Sequence, residues 1–190
     1  MEQLISFEAP QPIKLTVNDF AVLHDAGAFD AYPHAELLNG AVVCMSPQRS
    51  PHVMAASRLM VRLELALQRL GSKMEAVHTP TVSIPPHDAP EPDIAIVTAS
   101  PADGYYPLSM VALAIEVSLT SLRHDLSDKL DLYARARVSE YWVVEVESRT
   151  VHQFWSPSDG VYLERRTIPL AGELRSLTMP ELAIDGTGIL

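Results

Sequence analysis

Apolar residues in this chain recur with two periods, and the switches between them mark out the elements. Short unbroken apolar runs, Ile94-Ala95-Ile96-Val97, Met110 to Ile115 and Tyr141-Trp142-Val143-Val144, predict strands buried on both faces. Between residues 50 and 71 the spacing becomes helical, with Ala56, Leu59, Met60, Leu63, Leu67 and Leu70 on one stripe. Ser50 is the expected cap of that helix, Pro51 its first position and Gly71 its stop. Thr16-Val17-Asn18-Asp19 has the form of a capping box and predicts a short helix to about Ala26. A third helix is predicted over Leu122–Arg137, with Leu122, Leu126, Leu130 and Tyr133 on one face.

Shorter signals fill the gaps. Asn39-Gly40 between Glu36-Leu37-Leu38 and Ala41-Val42-Val43-Cys44-Met45 is the strongest hairpin signal available to a short segment. Further strands are predicted near Met74–His78, Thr81–Ile84, Val151–Trp155 and Val161–Thr167. A strand, a helix and a strand in sequence over residues 110–146 imply a right-handed crossover to a parallel neighbour. The pattern predicts an α/β fold, a mixed β-sheet flanked by helices. With no repeat or long linker, and with 47% hydrophobic residues, the 190 residues are expected to form one domain, 1–190.

Two acids sit against these apolar strands. Glu91-Pro92-Asp93 opens the run at Ile94, and Glu116 closes the run that ends at Ile115. If the two runs form a hairpin turning near Gly104, Asp93 and Glu116 are symmetric about the turn and lie side by side. Cross-strand partners stand about 4.5–5.5 Å apart, a separation at which two carboxylates can share a metal ion. A hard cation such as Mg²⁺ takes oxygen ligands and keeps several waters. The structural alternative is that Asp93 caps the strand entrance and Glu116 pairs with an Arg or Lys.

Lys129 is the third candidate. On a helical wheel with Leu122 at the origin and about 100° per residue, it falls near −20°, on the shoulder of the apolar stripe and leaning towards the sheet. There it can orient a water or offset phosphate charge; an i, i+4 pair with Asp125 is the structural alternative. Glu36, just before Asn39-Gly40, can reach the same cleft as a further ligand or simply be a solvated strand-end acid. His52, in the first turn of a helix, can meet a phosphate or remain exposed. The other histidines show no HxxxH or HExxH spacing, which argues against a histidine zinc site.

Charge and cysteine content limit the partners. The net charge is −10, from 24 acids and 14 bases, so the basic footprint of a tight nucleic-acid binder is missing. Arg58, Arg62 and Arg69 on the capped helix are the one basic group that can be suggested as a nucleic-acid face. The single cysteine, Cys44, allows no internal disulfide, reads as a buried strand residue and fits a cytoplasmic location. No apolar stretch approaches the roughly 20 residues that span a bilayer, so no membrane partner is expected. Met1 to Glu8 lacks the basic start and apolar run of a leader.

At these residues the chain resembles the Uma-type restriction endonuclease family of the PD-(D/E)xK nuclease superfamily. The resemblance rests on Glu36-Leu37-Leu38-Asn39-Gly40 with Met45-Ser46-Pro47 and His52, then on Glu91-Pro92-Asp93-Ile94-Ala95-Ile96-Val97. It continues with Ile115-Glu116-Val117 through Ser121, Asp125 and Lys129 to Leu132-Tyr133-Ala134-Arg135-Ala136, and ends in Glu140-Tyr141-Trp142-Val143-Val144. It covers about residues 15–155. It implies a restriction-endonuclease-like core with Asp93 and Glu116 as metal ligands, and Mg²⁺-dependent (or Mn²⁺-dependent) cleavage of phosphodiester bonds. Ser118 stands where the superfamily places its lysine, whereas the Uma-type pattern places a lysine on the next helix, matching Lys129. Ala35, Arg137 and Glu145 depart from the pattern more mildly.

Two functional expectations follow. The first is a metal-dependent endonuclease acting on nucleic acid, with DNA as the expected substrate, using Asp93, Glu116 and Lys129 with Glu36 and His52 in support. The second is a nuclease-derived domain without activity, kept for binding or homo-oligomeric assembly as a dimer. The acidic balance and Ser118 favour the second; the ordered acids and Lys129 favour the first.

Overall fold

The computed structural model describes residues 11–32 and 34–190. The leader reading at Met1 to Glu8 lies outside these residues. Helix α1 (Val17–Asp25) starts on the expected capping box, with the Asp19 N–H donating to Thr16 Oγ1 and the Thr16 N–H donating back to the Asp19 carboxylate. Strands β1 (Ala35–Leu38) and β2 (Ala41–Cys44) form the hairpin across Asn39-Gly40. Both turn residues have positive φ, 51° and 79°, the requirement of a two-residue turn that matches strand twist. A side chain at residue 40 would also strike Lys14, whose Cβ lies 2.6 Å from an ideal Cβ there.

Helix α2 (Ser50–Arg69) is followed by β3 (Glu75–His78), β4 (Val82–Ser83), β5 (Ile94–Val97), β6 (Tyr106–Pro107) and β7 (Val111–Ser118). The cap of α2 is Arg49, not Ser50, and no side-chain bond closes that end. After β7 come two short helices, α3 (Leu122–Asp125) and α4 (Asp128–Arg135), in place of the continuous one expected. Apolar spacing ran through the break because Leu126 and Leu130 pack against the same cluster from either side of it. Strands β8 (Glu140–Glu145), β9 (Thr150–Ser158), β10 (Val161–Pro169), β11 (Glu173–Arg175) and β12 (Ala183–Asp185) complete the chain.

Six of these strands form one mixed sheet in the order β10-β9-β8-β7-β5-β3. Only the β7–β8 pair is parallel, joined through α3 and α4 as the spacing implied. The fold is thus α/β, a mixed sheet with helices packed on it. One face of the sheet carries α2 and the C-terminal β11–β12 pair, around Leu59, Leu63, Ile115, Val117 and Trp142. The other carries α3 and α4, around Ala114, Leu132, Tyr133, Tyr141 and Val143. Among the described residues no helix is long and apolar enough to cross a membrane.

Two polar groups bind the C-terminal segment to this frame. Arg58 donates to the carbonyls of Gly188 and Ile189 at 3.3 and 3.2 Å, and Arg62 to that of Asp185. These bonds tie to the C-terminal segment two of the three arginines suggested as a nucleic-acid face, Arg69 being the third. Glu140, at the start of β8 and fully buried, accepts from Trp142 Nε1 and Ser176 Oγ (both 2.6 Å). It also accepts from Thr178 Oγ1 (2.8 Å) and from the N–H groups of Leu177 and Thr178 (3.0 Å each). Donors on every side take the place of a counter-cation.

Glu140→Gln turns part of this acceptor into a donor facing other donors. Bonds to a charged group are worth roughly 1.5–3 kcal/mol each, so a loss of about 2–3 kcal/mol is expected in urea denaturation. A change under about 0.5 kcal/mol, the range of ordinary surface substitutions, would show that the clamp contributes nothing.

Candidate active site

Strands β5 and β7 pair antiparallel with Ile94 opposite Ile115 and Ala95 opposite Ala114. Continuing that register by one residue sets Asp93 against Glu116, as the symmetry about the turn required. The connection is longer than a hairpin turn: it contains β6, which pairs parallel with β4, and a 3₁₀ turn over Leu108–Met110. Side chains alternate along a strand. Ile115 and Val117 enter the core under α2, so Glu116 and Ser118 face α3 and α4.

All five expected site residues line one cavity of about 570 Å³ at this end of the sheet. Glu36 comes from β1, His52 from the first turn of α2, Asp93 from the entrance to β5, Glu116 from β7 and Lys129 from α4. All are nearly out of solvent: Glu36 is 2% exposed, Lys129 2%, Glu116 4%, Asp93 7% and His52 8%.

Lys129 is the hub. Its Nζ donates to Glu116 Oε1 at 2.9 Å and to Glu36 Oε1 at 3.0 Å. The i, i+4 pairing with Asp125 does not form as a hydrogen bond; Asp125 Oδ2 accepts instead from Ser118 Oγ (2.5 Å) and Ser121 Oγ (2.6 Å). Ser118, at the superfamily lysine position, is thus part of the joint that fixes the start of α3. The structural alternative for Glu116, a lysine partner, and the functional reading meet in the same residue.

Asp93 is held from three directions. The Val117 N–H donates to Oδ2 at 2.7 Å and Gln48 Nε2 to Oδ1 at 2.9 Å. His52 Nε2 meets Oδ2 at 3.0 Å; an ionised carboxylate only accepts, so Nε2 is the donor. His52 is therefore turned onto Asp93, and its Nδ1 is buried with no hydrogen-bond partner. Gln48 escaped the sequence reading, and nothing in its loop position would have shown it. Tyr133 donates to Glu116 Oε1 at 3.2 Å. A tyrosine one turn after Lys129 in a leucine stripe was the available signal. Cys44, expected in the core, is an exposed residue on the cavity wall.

The charges do not balance. Burial pushes the Glu116 carboxyl well above the ordinary glutamate range; Lys129 opposes this, and the nearby Asp93, Asp125 and Glu36 add to it. Burial also raises Glu36, with Lys129 again opposing. For Lys129, burial favours loss of the proton, but Glu116, Glu36 and Asp125 outweigh it and hold the ammonium above the usual lysine value. One cation thus serves several buried acids, and Glu36 Oε2 has no hydrogen-bond partner.

A hard divalent ion fits this excess of carboxylate oxygen. Among the described residues no three His, Cys, Asp or Glu side chains are placed to hold a metal between them. Asp93 and Glu116 would supply two ligands with water in the remaining positions, the usual arrangement for Mg²⁺.

The protein is thus of the α/β class, with acids and a lysine gathered at one end of a mixed sheet. The chain belongs to the Uma2 family, described as "Putative restriction endonuclease", whose model matches residues 18–186. Among solved structures it is similar to a protein of Anabaena variabilis described as a "putative nuclease belonging to DUF820". The TM-score is 0.68 at 14% identity, over 94% of this chain and 97% of that one; at that identity the likeness is one of fold. No curated protein matches the chain.

Lys129→Met leaves Glu36 and Glu116 buried without their cation, a defect that costs about 3–5 kcal/mol. At pH 8 both acids are ionised in the unfolded chain, whereas burial favours their protonated forms in the fold, so the loss is large there. It shrinks as pH falls towards the ordinary glutamate range, where the unfolded chain also takes up the protons. Urea denaturation at pH 8 and pH 5 measures this; a loss independent of pH would contradict it.

Proposed function

We propose that this protein is a metal-dependent endonuclease that hydrolyses phosphodiester bonds in nucleic acid, DNA being the expected substrate. The observation that carries the reading is the Lys129 ammonium bonded to Glu116 in a cavity that Glu116 shares with Asp93. In this reading Asp93 and Glu116 hold Mg²⁺ or Mn²⁺, Lys129 acts on the reacting phosphate, and Glu36 and His52 support them. The chemistry supplied by such an ion is a water of lowered pKa and stabilisation of charge on a phosphoryl oxygen.

The chain's own residues do the remainder. Asp93 is fixed before any ligand arrives by the Val117 N–H, Gln48 and His52, which is electrostatic preorganisation. Lys129 stays protonated among its acids, so it serves as a fixed charge and hydrogen-bond donor, not as a base. An ammonium has three donors; Glu36 and Glu116 take two, leaving one for an oxygen in the cavity. In-line attack by water forms the new P–O bond as the bond to the leaving sugar oxygen breaks; the water's proton passes to solvent, and the leaving oxygen takes one from solvent to become a hydroxyl.

The second reading, an inactive domain that binds or assembles as a dimer, is favoured by the use of Ser118 as a structural joint. Manganese titration calorimetry separates the two. The endonuclease reading expects binding that Asp93→Ala and Glu116→Ala each abolish. No heat from wild-type protein supports the inactive domain, and sedimentation would then test the dimer. Both readings take residues 1–190 as one domain.

For activity, plasmid and single-stranded DNA with Mg²⁺ or Mn²⁺ are the substrates. Asp93→Ala and Glu116→Ala should each lower the rate by about a thousandfold or more, since a ligand lost from the metal forfeits several kcal/mol of transition-state stabilisation. Cleavage that continues unchanged in both variants would remove this site from consideration.

A further inference from the structure

We propose that Tyr133 is a positioning residue for metal binding: with Lys129 it holds Glu116 by Oε1 and so keeps Oε2 turned to the cavity for the ion. This rests on the endonuclease reading and concerns how the chain prepares one of its two ligands.

A glutamate carboxylate does not fix its own plane. Its terminal torsion is broad and roughly two-fold, so hydrogen bonds decide which oxygen faces a ligand. In Glu116 those bonds fall on one atom: Lys129 Nζ donates to Oε1 at 2.9 Å and the Tyr133 hydroxyl donates to the same oxygen at 3.2 Å. Among the described residues nothing donates to Oε2. Nor is Oε2 sealed from solvent without a partner, as Glu36 Oε2 is. It therefore keeps contact with solvent, and Glu116 lines the cavity. Asp93 is held differently, by three donors spread over both its oxygens, one of them the backbone N–H of Val117. Of the two ligands, Glu116 is the one whose aim depends on side chains alone.

Both donors come from α4, four residues apart and so on one face of the helix. Lys129 by itself is a loose guide, because its ammonium also serves Glu36 at 3.0 Å and ends a flexible four-carbon stem. Tyr133 is a firmer one. Its ring is fully buried and packs against that of Tyr141, with centroids 4.9 Å apart, so the hydroxyl is carried to a fixed point. Phenylalanine would fill the same space, and the single bond made by the hydroxyl goes to Glu116. Tyr133 does not line the cavity and reaches the site only through Glu116. The structural alternative is that a buried tyrosine hydroxyl simply finds a partner. Tyr141 supplies the matched control. It is buried in the same cluster, and its hydroxyl donates to the Asp125 carbonyl at 3.0 Å, away from both ligands.

The test is Mn²⁺ titration calorimetry on wild-type protein, Tyr133→Phe and Tyr141→Phe, with urea denaturation to show that the variants fold. Loss of a partner behind a metal ligand costs about 10–100-fold in affinity, so Tyr133→Phe should raise the Mn²⁺ Kd by about tenfold or more. Tyr141→Phe, which also loses a buried hydroxyl, should leave the Kd within about twofold of wild type. An unchanged Kd in Tyr133→Phe, or an equal rise in both variants, would overturn the proposal; binding that Asp93→Ala still abolishes would then leave the endonuclease reading standing. Wild-type protein that takes up no Mn²⁺ would remove both. Should Tyr133→Phe fail to fold, wild-type crystals grown with Mn²⁺ decide the matter. The ion is expected on Oε2 with Tyr133 still bonded to Oε1, and an ion on Oε1 with the phenol displaced would overturn the proposal.

Discussion

The ammonium of Lys129, buried between Glu36 and Glu116, is the contact on which the arrangement of this site depends. A lysine moved from water into protein interior is costly unless anions meet it. Here they come from β1 and β7, parts of the chain far apart in sequence. The short hairpin at Asn39-Gly40 exists in this position to deliver Glu36, and the tight approach of Lys14 to Gly40 fixes where the hairpin sits. Asp125 is turned instead to Ser118 and Ser121, whose hydroxyls both donate to its Oδ2.

The same cluster shows why an acidic chain can be suited to a polyanionic ligand. Asp93, Glu36 and Glu116 bring more carboxylate into the cavity than Lys129 offsets, and the glutamates resist ionisation chiefly because they are buried, with neighbouring acids adding to it. A surface of net charge −10 repels nucleic acid at long range. A cation held at the acids reverses the sign where contact is made, so metal and substrate would each improve the site for the other. The departure at Ser118 is compatible with this. The positive charge enters from α4, two elements after the strand that carries it in the superfamily pattern, and the strand position at Ser118 is used to brace α3.

Much of this was legible in the sequence, for particular reasons. The register that opposes Asp93 to Glu116 could be read because two apolar runs and a turn-rich stretch fix a hairpin-like pairing. The lean of Lys129 towards the sheet followed from helical phase alone. The bounds of α1 were visible in its capping box. What could not be read is of another kind. The break between α3 and α4 falls at Leu126 and Ser127, where the backbone leaves helical geometry, a feature that a hydrophobic period does not record. Gln48 reaches Asp93 from a loop whose path depends on tertiary packing. Arg58 and Arg62 have the spacing of a basic face, yet their targets are carbonyls more than a hundred residues away. Cys44 lies on a two-stranded hairpin outside the main sheet, so strand membership did not imply burial.

The pairing of Asp93 with Glu116 as a divalent-ion site is tested most directly by an anomalous difference map from crystals soaked in Mn²⁺. A peak is expected between the two carboxylates at oxygen–metal distances of about 2.0–2.2 Å, close to those of a hard octahedral cation. Manganese bound elsewhere on the molecule, with nothing between these side chains and Glu116 still bonded only to Lys129 and Tyr133, would contradict it.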